Sequence, residues 1–217
     1  MGRTPPAARS RRSYDQYCAA ARALDAVGDR WTLLIVRELL AGPRRYTDLH
    51  ADLPGVSTDV LASRLKDMER EGLTTRRRLP PPSAAYVYEL TGRGRALLPV
   101  LQALAVWGAP ALAERAPTDA VRAHWFALPL LRALEGLGAD GVVEVSLDEG
   151  AFHVRVGGGA EPCGDGPAPA RPDARLVLDA ETCVEVGRGV LTVGEGVRAG
   201  RIGLSGDGVL AKALRES

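Results

Sequence analysis

The stretch STDVLASRLKDMEREGLTTRRRLPPPSAAYVYELT, residues 57–91, decides the fold of the first half of the chain. Its opening part predicts a helix from about Thr58 to Glu71, because its apolar residues recur at helical spacing. Ser57 precedes that helix and is a typical N-cap residue, and Gly72 follows it as a terminator.

Two short strands follow the helix directly. They cover residues 73–79 and 85–90, and the second alternates apolar and polar side chains around Tyr86 and Tyr88. The proline-rich run at 80–83 marks the turn between them. A helix followed at once by a basic β-hairpin predicts a winged helix-turn-helix that binds double-stranded DNA.

The outward face of the predicted helix is polar, small near its N-terminal end and basic further on. Such a face suits a helix that lies in the major groove, although many surface helices look similar, so the adjoining hairpin carries the prediction. The hairpin adds three consecutive arginines, which cannot all point at the core because alternate strand residues face opposite sides. The predicted DNA-contacting residues are Ser57, Thr58, Asp59, Ala62, Ser63, Arg64, Lys66, Arg76, Arg77 and Arg78.

Three helices are predicted upstream of this stretch. Apolar periodicity places them at 14–27, from Trp31 to about Gly42, and at 46–53. Asp29 precedes the second of them, and its carboxylate is a candidate cap for the free amides at the start of that helix.

A further helix is predicted downstream. Thr91 is its candidate cap, and Pro99 predicts a kink or a late start. Its leucines and Trp107 form an apolar surface wider than one small domain usually needs. We expect this helix and the first to form a homodimer interface, which places two recognition helices about one DNA turn apart. The alternative is that the helix packs within its own domain.

Several motifs in this half resemble those of a known family. The run ALDAVGDRWTLLIVRELLAG at 23–42, with Tyr17-Cys18 before it, resembles the opening signature of HxlR-type regulators, a branch of the MarR-like winged helices. Further matching motifs are Gly55-Val56-Ser57, Glu71-Gly72-Leu73, Tyr88-Glu89-Leu90-Thr91 and Trp107-Gly108. The resemblance implies a homodimeric, sequence-specific DNA-binding protein that represses or activates nearby genes. Ala19 departs from it, because the family usually has proline there, and the wing tip is more apolar than usual.

Cys18 lies where some members of that family sense electrophiles or oxidants through a thiolate. Arg22, one helical turn further on, would favour the thiolate by its charge. The alternative is that Cys18 is a small buried residue of a dimer-forming helix, because free cysteine is among the most buried residue types.

Charge divides the chain into two parts. Residues 1–116 carry 18 Lys/Arg and 12 Asp/Glu, a net charge of +6, whereas residues 117–217 carry 10 and 15, a net charge of −5. A basic half suits a polyanionic partner, because each neutralised phosphate releases counterions. The predicted domains are a flexible arm at 1–12, a winged-helix DNA-binding and dimerisation domain at 13–116, and an α+β domain at 117–217.

Composition also limits the classes of function. The N-terminal arm lacks the apolar core of a signal peptide, and no apolar run is expected to be long enough to cross a bilayer, so we expect a cytoplasmic protein. Cys18, Cys163 and Cys183 have neither a metal-type spacing nor an even count. No catalytic constellation is visible either, so we expect no enzyme, cofactor or metal.

The second half has a mixed pattern. It predicts a helix at 117–136, a β-hairpin at 143–156, a mobile Gly/Pro-rich loop at 157–172, and then strand, helices, strand and helix. This order, with the motif GRIGLSGD at 200–207, resembles the sterol carrier protein type 2 fold, so the whole chain is predicted to be α+β.

The sterol carrier fold often encloses an apolar tunnel. The candidate residues for binding an apolar small-molecule effector are Trp125, Phe126 and Phe152. Each of these aromatic residues is at least as well explained as core filling.

Two functions follow from these patterns. The favoured one is a transcription regulator that binds DNA as a homodimer and responds to a ligand. The alternative is a lipid-carrier or acyl-transfer protein whose basic half only docks partners.

Overall fold

The computed structural model describes residues 13–113, 115–159 and 161–217, so the predicted arm at 1–12 lies outside the described residues. The helices are α1 (Ala19–Val27), α2 (Thr32–Leu40), α3 (Tyr46–Asp52), α4 (Thr58–Arg70), α5 (Gly92–Arg95), α6 (Leu98–Gly108), α7 (Ala127–Ala133), α8 (Ala180–Gly187), α9 (Val193–Arg198) and α10 (Val209–Glu216). The strands are β1 (Thr74–Arg78), β2 (Tyr86–Leu90), β3 (Gly141–Leu147), β4 (Gly150–Val156), β5 (Cys163–Asp165), β6 (Ala174–Val177) and β7 (Gly203–Ser205).

The helix-turn-helix consists of α3, a short turn and α4. The hydroxyl of Ser57 accepts a hydrogen bond from the amide of Val60 at 3.3 Å, which confirms Ser57 as the N-cap of α4. Leu61, Leu65 and Met68 form the buried side of α4. Their burial turns the polar side of this helix outward, as the periodicity predicts.

The start of α2 differs from the prediction. Its N-cap residue is Trp31, without a side-chain cap, and Asp29 accepts from the amide of Thr32 at 3.0 Å through its backbone carbonyl. The carboxylate of Asp29 instead binds the guanidinium of Arg64 on α4. The first helix also starts later than predicted, at Ala19.

The predicted wing is present as a paired hairpin. Strands β1 and β2 are antiparallel, and Arg76 lies opposite Tyr88. Arg44, between α2 and α3, adds a bridge to β2: its amide donates to the Tyr88 carbonyl at 3.0 Å, and the Tyr88 amide donates back at 2.8 Å. These two bonds attach the wing to the start of the helix-turn-helix.

The helix after the wing is interrupted near its start. Thr91 caps α5 by accepting from the amide of Gly94 at 3.1 Å, as predicted. Pro99 lies in the first turn of α6, where a missing amide costs little, so the late start is observed.

Contrary to the sequence expectation, one segment is long and apolar enough to cross a membrane by length and composition alone. It is the helical stretch Gly92–Leu112, of which only a small share is fully buried. Leu97, Leu98 and Leu101 pack on the core, whereas Val100, Leu104, Val106, Trp107 and Leu112 form an exposed apolar side.

The second half is built on a mixed five-stranded sheet. The strand order is β5-β4-β3-β6-β7, and the β3–β6 pair is parallel while the other neighbouring pairs are antiparallel. Val143, Val145, Phe152 and Val154 are fully buried on one face of the sheet. The predicted hairpin is therefore correct in both strands and in its buried face.

Two predictions in this half need correction. The helix expected at 117–136 is shorter, because a 3₁₀ turn at Ala123–Phe126 leads into α7 and the residues before that turn are not helical. The loop expected to be mobile at 157–172 contains β5, which pairs with β4 and buries Cys163. Gly/Pro content alone conceals a strand this short.

The two halves share one continuous hydrophobic core. Buried apolar residues from Val27 to Leu214 form a single cluster. The C-terminal half therefore packs directly against the winged helix.

Gly94 provides a test of how the wing packs on α5. A Cβ at this position would collide with the carbonyl oxygen of Leu73 and lie 2.9 Å from the Leu90 side chain, whereas a Cβ at Gly92 would meet nothing within 4 Å. We expect Gly94→Ala to lower the free energy of unfolding by about 2 kcal/mol, because the overpacking cannot relax. Gly92→Ala is the matched control and should be neutral or slightly stabilising. Urea unfolding of both variants measures the difference, and equal stabilities would contradict this packing.

Candidate nucleic-acid interface and the junction behind it

The exposed face of α4 is formed by most of the predicted DNA-contacting residues. Thr58, Asp59, Ser63 and Lys66 are exposed, and Ala62 is half-buried between them. Lys66 has no hydrogen-bond or ion-pair partner among the described residues. The free ammonium of this helix is thus available to a phosphate.

The start of α4 is held in place by its neighbour. The hydroxyl of Tyr46 on α3 donates to the carbonyl oxygen of Thr58 at 2.7 Å. Because that bond joins the two helices of the motif, the exposed face of α4 has a fixed orientation.

Arg64 lies apart from the other predicted contacts. Its side chain is only 11% exposed and binds Asp29 and Asp67, the latter at 2.8 Å. It occupies the buried side of α4, one turn after Leu61, and ties that helix to the loop before α2. Its spacing from Leu61 and Leu65 was the sequence signal that could have indicated this position.

The three wing arginines are all exposed, but each has a local contact. Arg76 stacks on the ring of Tyr86 at 4.0 Å, and Arg77 pairs with Glu89 at 3.2 Å. Arg78 makes a longer bond of 3.5 Å to the carbonyl oxygen of Ala84. These contacts hold the arginine side chains along the hairpin while leaving them open to solvent.

Arg45 is a basic residue of this surface that the sequence reasoning missed. Its guanidinium donates to the hydroxyl of Ser83 at 3.0 Å and so connects the start of α3 to the wing tip. The pairing spans 38 residues of sequence, and no local pattern indicates it. The wing tip therefore has an anchor on the helix-turn-helix.

Cys18 is exposed at the N-terminus of α1. Hydrogen bonds from the backbone amides of Ala21 and Ala20 hold the pKa of its thiol below the ordinary value. Arg22, the suggested cause of such a shift, instead interacts with Asp25 at 3.5 Å. Redox sensing by Cys18 stays a prediction.

Glu38 of α2 is fully buried where the two halves meet. Its Oε2 lies 2.5 Å from Nε2 of His124, and its Oε1 accepts from the indole of Trp125 at 2.9 Å. Arg37 donates to the same carboxylate at 2.6 Å and stacks on the Trp125 ring at 4.2 Å. One carboxylate of the winged helix thus satisfies two side chains of the C-terminal half.

Asp165 of β5 continues this network on the other side of the imidazole. Its carboxylate lies 3.3 Å from Nδ1 of His124 and 2.8 Å from the guanidinium of Arg44. The His124 imidazole therefore lies between two carboxylates, with Arg37 beside Glu38 at one end and Arg44 beside Asp165 at the other.

Further polar contacts widen the junction. Arg122 pairs with Asp52 at the end of α3 at 3.3 Å, and Gln102 of α6 donates to Glu135 at 3.0 Å. The C-terminal half is therefore attached to α2, α3 and α6 together.

The pKa values of the junction carboxylates show which effect dominates. Burial raises the pKa of Glu38, but the bond to His124 and the charge of Arg37 outweigh it and leave the pKa below its usual value. The pKa of Asp165 is likewise raised by burial and lowered further by Arg44, with a net decrease. Both side chains are thus held as carboxylates.

A set of potential metal ligands overlaps the junction. One ligand atom each from Glu38, Asp52 and His124 lies within 4.8 Å of the others. Glu38 and His124 already bind each other, and Asp52 already binds Arg122. The charges of this set are therefore balanced by protein side chains.

Cys163 lies at the edge of the same junction. Its thiol lies 3.6 Å from the carbonyl oxygen of Leu40, to which it donates, and burial raises its pKa to about 12. Cys183 is also buried, within α8.

The three aromatic residues predicted to line an effector site have other surroundings. Trp125 belongs to the junction, Phe126 packs half-buried against the core, and Phe152 is fully buried in the sheet. A cleft of about 440 Å³ between the end of α6 and the helices of the second half is lined by other residues.

The first half of the chain is similar to known proteins. The HxlR-like helix-turn-helix family matches residues 26–116. The uncharacterized HTH-type transcriptional regulator YvaP of Bacillus subtilis is 40% identical over 86 residues, 40% of this chain and 80% of that protein. The HTH-type transcriptional regulator YodB of the same organism is 35% identical over 85 residues, 39% of this chain and 76% of that protein. A solved structure of reduced YodB is 31% identical, covers 48% of this chain and 100% of that chain, and has a TM-score of 0.40.

Substitution of Glu38 tests the junction. Glu38→Ala leaves His124, Trp125 and Arg37 without their acceptor, so we expect a loss of about 3 kcal/mol in the free energy of unfolding. Glu38→Gln keeps one acceptor and should cost less. Glu69→Ala, at an exposed position of α4, is the control and should change stability by no more than about 0.5 kcal/mol. Equal losses in Glu38→Ala and Glu69→Ala would show that this pair does not hold the halves together.

The pH dependence of stability provides a second readout. Because the folded-state pKa of Glu38 is lowered, its contribution is complete above the ordinary value of 4.5 and is lost as the pH falls through the folded value. The free energy of unfolding of Glu38→Gln should therefore fall less than that of the wild type when the pH is lowered from 4.5 through the folded-state pKa.

Proposed function

The chain belongs to the HxlR-like helix-turn-helix family, and we propose that this DNA-binding transcription regulator binds specific duplex sequences as a homodimer and responds to a small-molecule effector. The proposal assigns DNA binding and dimerisation to residues 13–116 and effector binding to residues 117–217. It includes a cytoplasmic location and no catalytic role.

The exposed face of α4 carries the DNA-binding part of the proposal. Small side chains at Ala62 and Ser63 permit close approach to a groove, and Lys66 one turn later has a free charge for a phosphate. The wing adds three exposed arginines. They belong to residues 1–116, which together have a net charge of +6. Arg64 is left out of the proposed contact set because it is buried in ion pairs.

Exposed apolar side chains support the homodimer. Trp107 is 83% exposed and Tyr17 fully exposed, which is unusual for large apolar residues on a single chain. The members of this set, on and beside α1 and α6, are Tyr14, Tyr17, Leu24, Val100, Leu104, Val106, Trp107 and Leu112. A two-fold interface built from them would bury the apolar side chains that a single chain leaves exposed.

The C-terminal topology supports an effector module. The hairpin, the later strands and the closing helix follow the element order on which the sterol carrier resemblance was based, whereas β5 was not part of that order. The module also contacts the winged helix through a buried polar junction, so a ligand-driven change in it would reach α2.

The two lysines of the chain offer a matched test of DNA binding. We expect Lys66→Ala to weaken binding to DNA upstream of the protein's own gene and to reduce the salt slope by about one unit. Lys212→Ala, on α10 in the C-terminal half, should leave both unchanged. Ser63→Ala and Asp59→Ala should alter sequence preference instead. Fluorescence anisotropy at two salt concentrations, with a random duplex for comparison, measures these effects; identical behaviour of the two lysine variants would remove α4 from the interface.

The dimer is tested by placing a charge on the exposed apolar set. Trp107→Glu should give a monomer in light scattering and lower DNA affinity at least about tenfold, because one module loses the second half-site. Val209→Glu, at another exposed apolar position, is the control and should remain dimeric. A wild-type protein that stays monomeric both free and on DNA would overturn the homodimer.

A further inference from the structure

A cleft of about 440 Å³ opens where the end of α6 meets the helices of the C-terminal half. This volume lies within the range of small-molecule sites. The lining residues are Val106, Ala109, Pro110, Arg132, Ala133, Leu134, Leu137, Val186, Gly187, Arg188, Gly189, Leu191, Thr192, Val193 and Ser217. The cleft therefore lies along the seam with the winged-helix half and not between the sheet and its helices.

The lining of the cleft has an apolar body and a basic rim. Leu134, Val186 and Val193 are buried beneath it, and Leu137 and Leu191 are partly exposed. Such a surface favours an apolar ligand by removing it from water.

Two arginines, Arg132 and Arg188, are the only ionisable side chains among the lining residues. Both are exposed, and neither forms a hydrogen bond or a salt bridge with a described residue, although the charge of Arg188 acts on Glu185, a carboxylate that binds Arg201. By contrast, Arg175 and Arg201 in the same half each bind a carboxylate.

Exposed guanidinium groups without a salt bridge, beside an apolar surface, indicate the chemistry of a ligand. Guanidinium binds carboxylates through short, charge-assisted hydrogen bonds and is weakly hydrated for a cation. The surrounding half carries a net charge of −5, so a basic rim here is a local exception to its charge.

We propose that this cleft is the effector site and that its ligand is a small apolar carboxylic acid, aromatic or aliphatic. The apolar body packs on Leu134, Val186 and Val193, and the carboxylate is bound at the rim that carries Arg132 and Arg188. The regulatory role of the ligand rests on the proposed function. Binding of the acid itself does not, because it can be measured without DNA.

The location of the cleft suggests how binding would reach the DNA. Val106 lines the cleft, and the next residue, Trp107, belongs to the exposed apolar set of the proposed dimer. A ligand that contacts Val106 therefore acts on the helix that sets the distance between two recognition helices. Coupling of this kind is reciprocal, so DNA and acid must alter each other's affinity by the same factor.

Calorimetric titration of the full-length protein tests the site. The probes are 1-naphthaleneacetate and decanoate, each compared with its uncharged amide. We expect saturable binding of at least one acid, at least about tenfold tighter than its amide. Two results would overturn the proposal: binding of neither acid below about 1 mM, or equal affinity for acid and amide.

Three variants locate the binding. Ala133→Trp places a bulky ring on an exposed lining position and should abolish binding of acid and amide, with the fold checked by circular dichroism. The double variant Arg132→Ala/Arg188→Ala should weaken the acid about tenfold or more and leave the amide unchanged. Arg171→Ala removes an exposed cation elsewhere in this half and should have no effect. Unchanged binding in Ala133→Trp would place the ligand outside the cleft.

Addition of DNA separates this inference from the proposed function. If the acid binds in the cleft but leaves DNA affinity unchanged, the site stands and the effector response fails. If the acid binds and no duplex is bound specifically, the DNA-binding proposal fails alone.

Discussion

The buried carboxylate of Glu38 is the interaction on which the arrangement of the two halves depends. It lies on α2 of the winged helix, and its partners His124 and Trp125 come from the C-terminal half. A buried charge is tolerated only when it is paired and hydrogen-bonded, so the winged helix without its second half would leave a severe penalty at this point. The C-terminal half is therefore an integral part of this regulator's fold.

The sequence predicted most of the winged helix because its signals are local. Caps at Ser57 and Thr91, the apolar stripe of α4 and the alternation in β2 all act over a few residues. The junction could not be predicted in this way. Glu38 and His124 are 86 residues apart, and Glu38 reads locally as a polar residue in an apolar helix. The contact of Asp29 with Arg64 could not be predicted for the same reason, because the two residues are 35 positions apart.

The candidate site shows the same division. The exposed positions of α4 follow from helical periodicity, whereas Arg45 enters the surface only through a distant contact with Ser83. The three aromatic residues predicted to line an effector site do not line the cleft. Phe152 is buried in the core of the sheet. The apolar part of the cleft is formed by aliphatic residues from several separate helices. A cavity is defined by the spaces between elements, and a linear pattern contains little information about those spaces.

The reactivity of Cys163 depends on whether the two halves of the protein stay packed together. With its pKa raised to about 12 by burial against Leu40, this thiol is held in its unreactive form while the two halves are closed. Separation of the halves would return it to the chemistry of an ordinary exposed cysteine. The rate at which a thiol reagent modifies Cys163 would therefore measure how often the two halves separate.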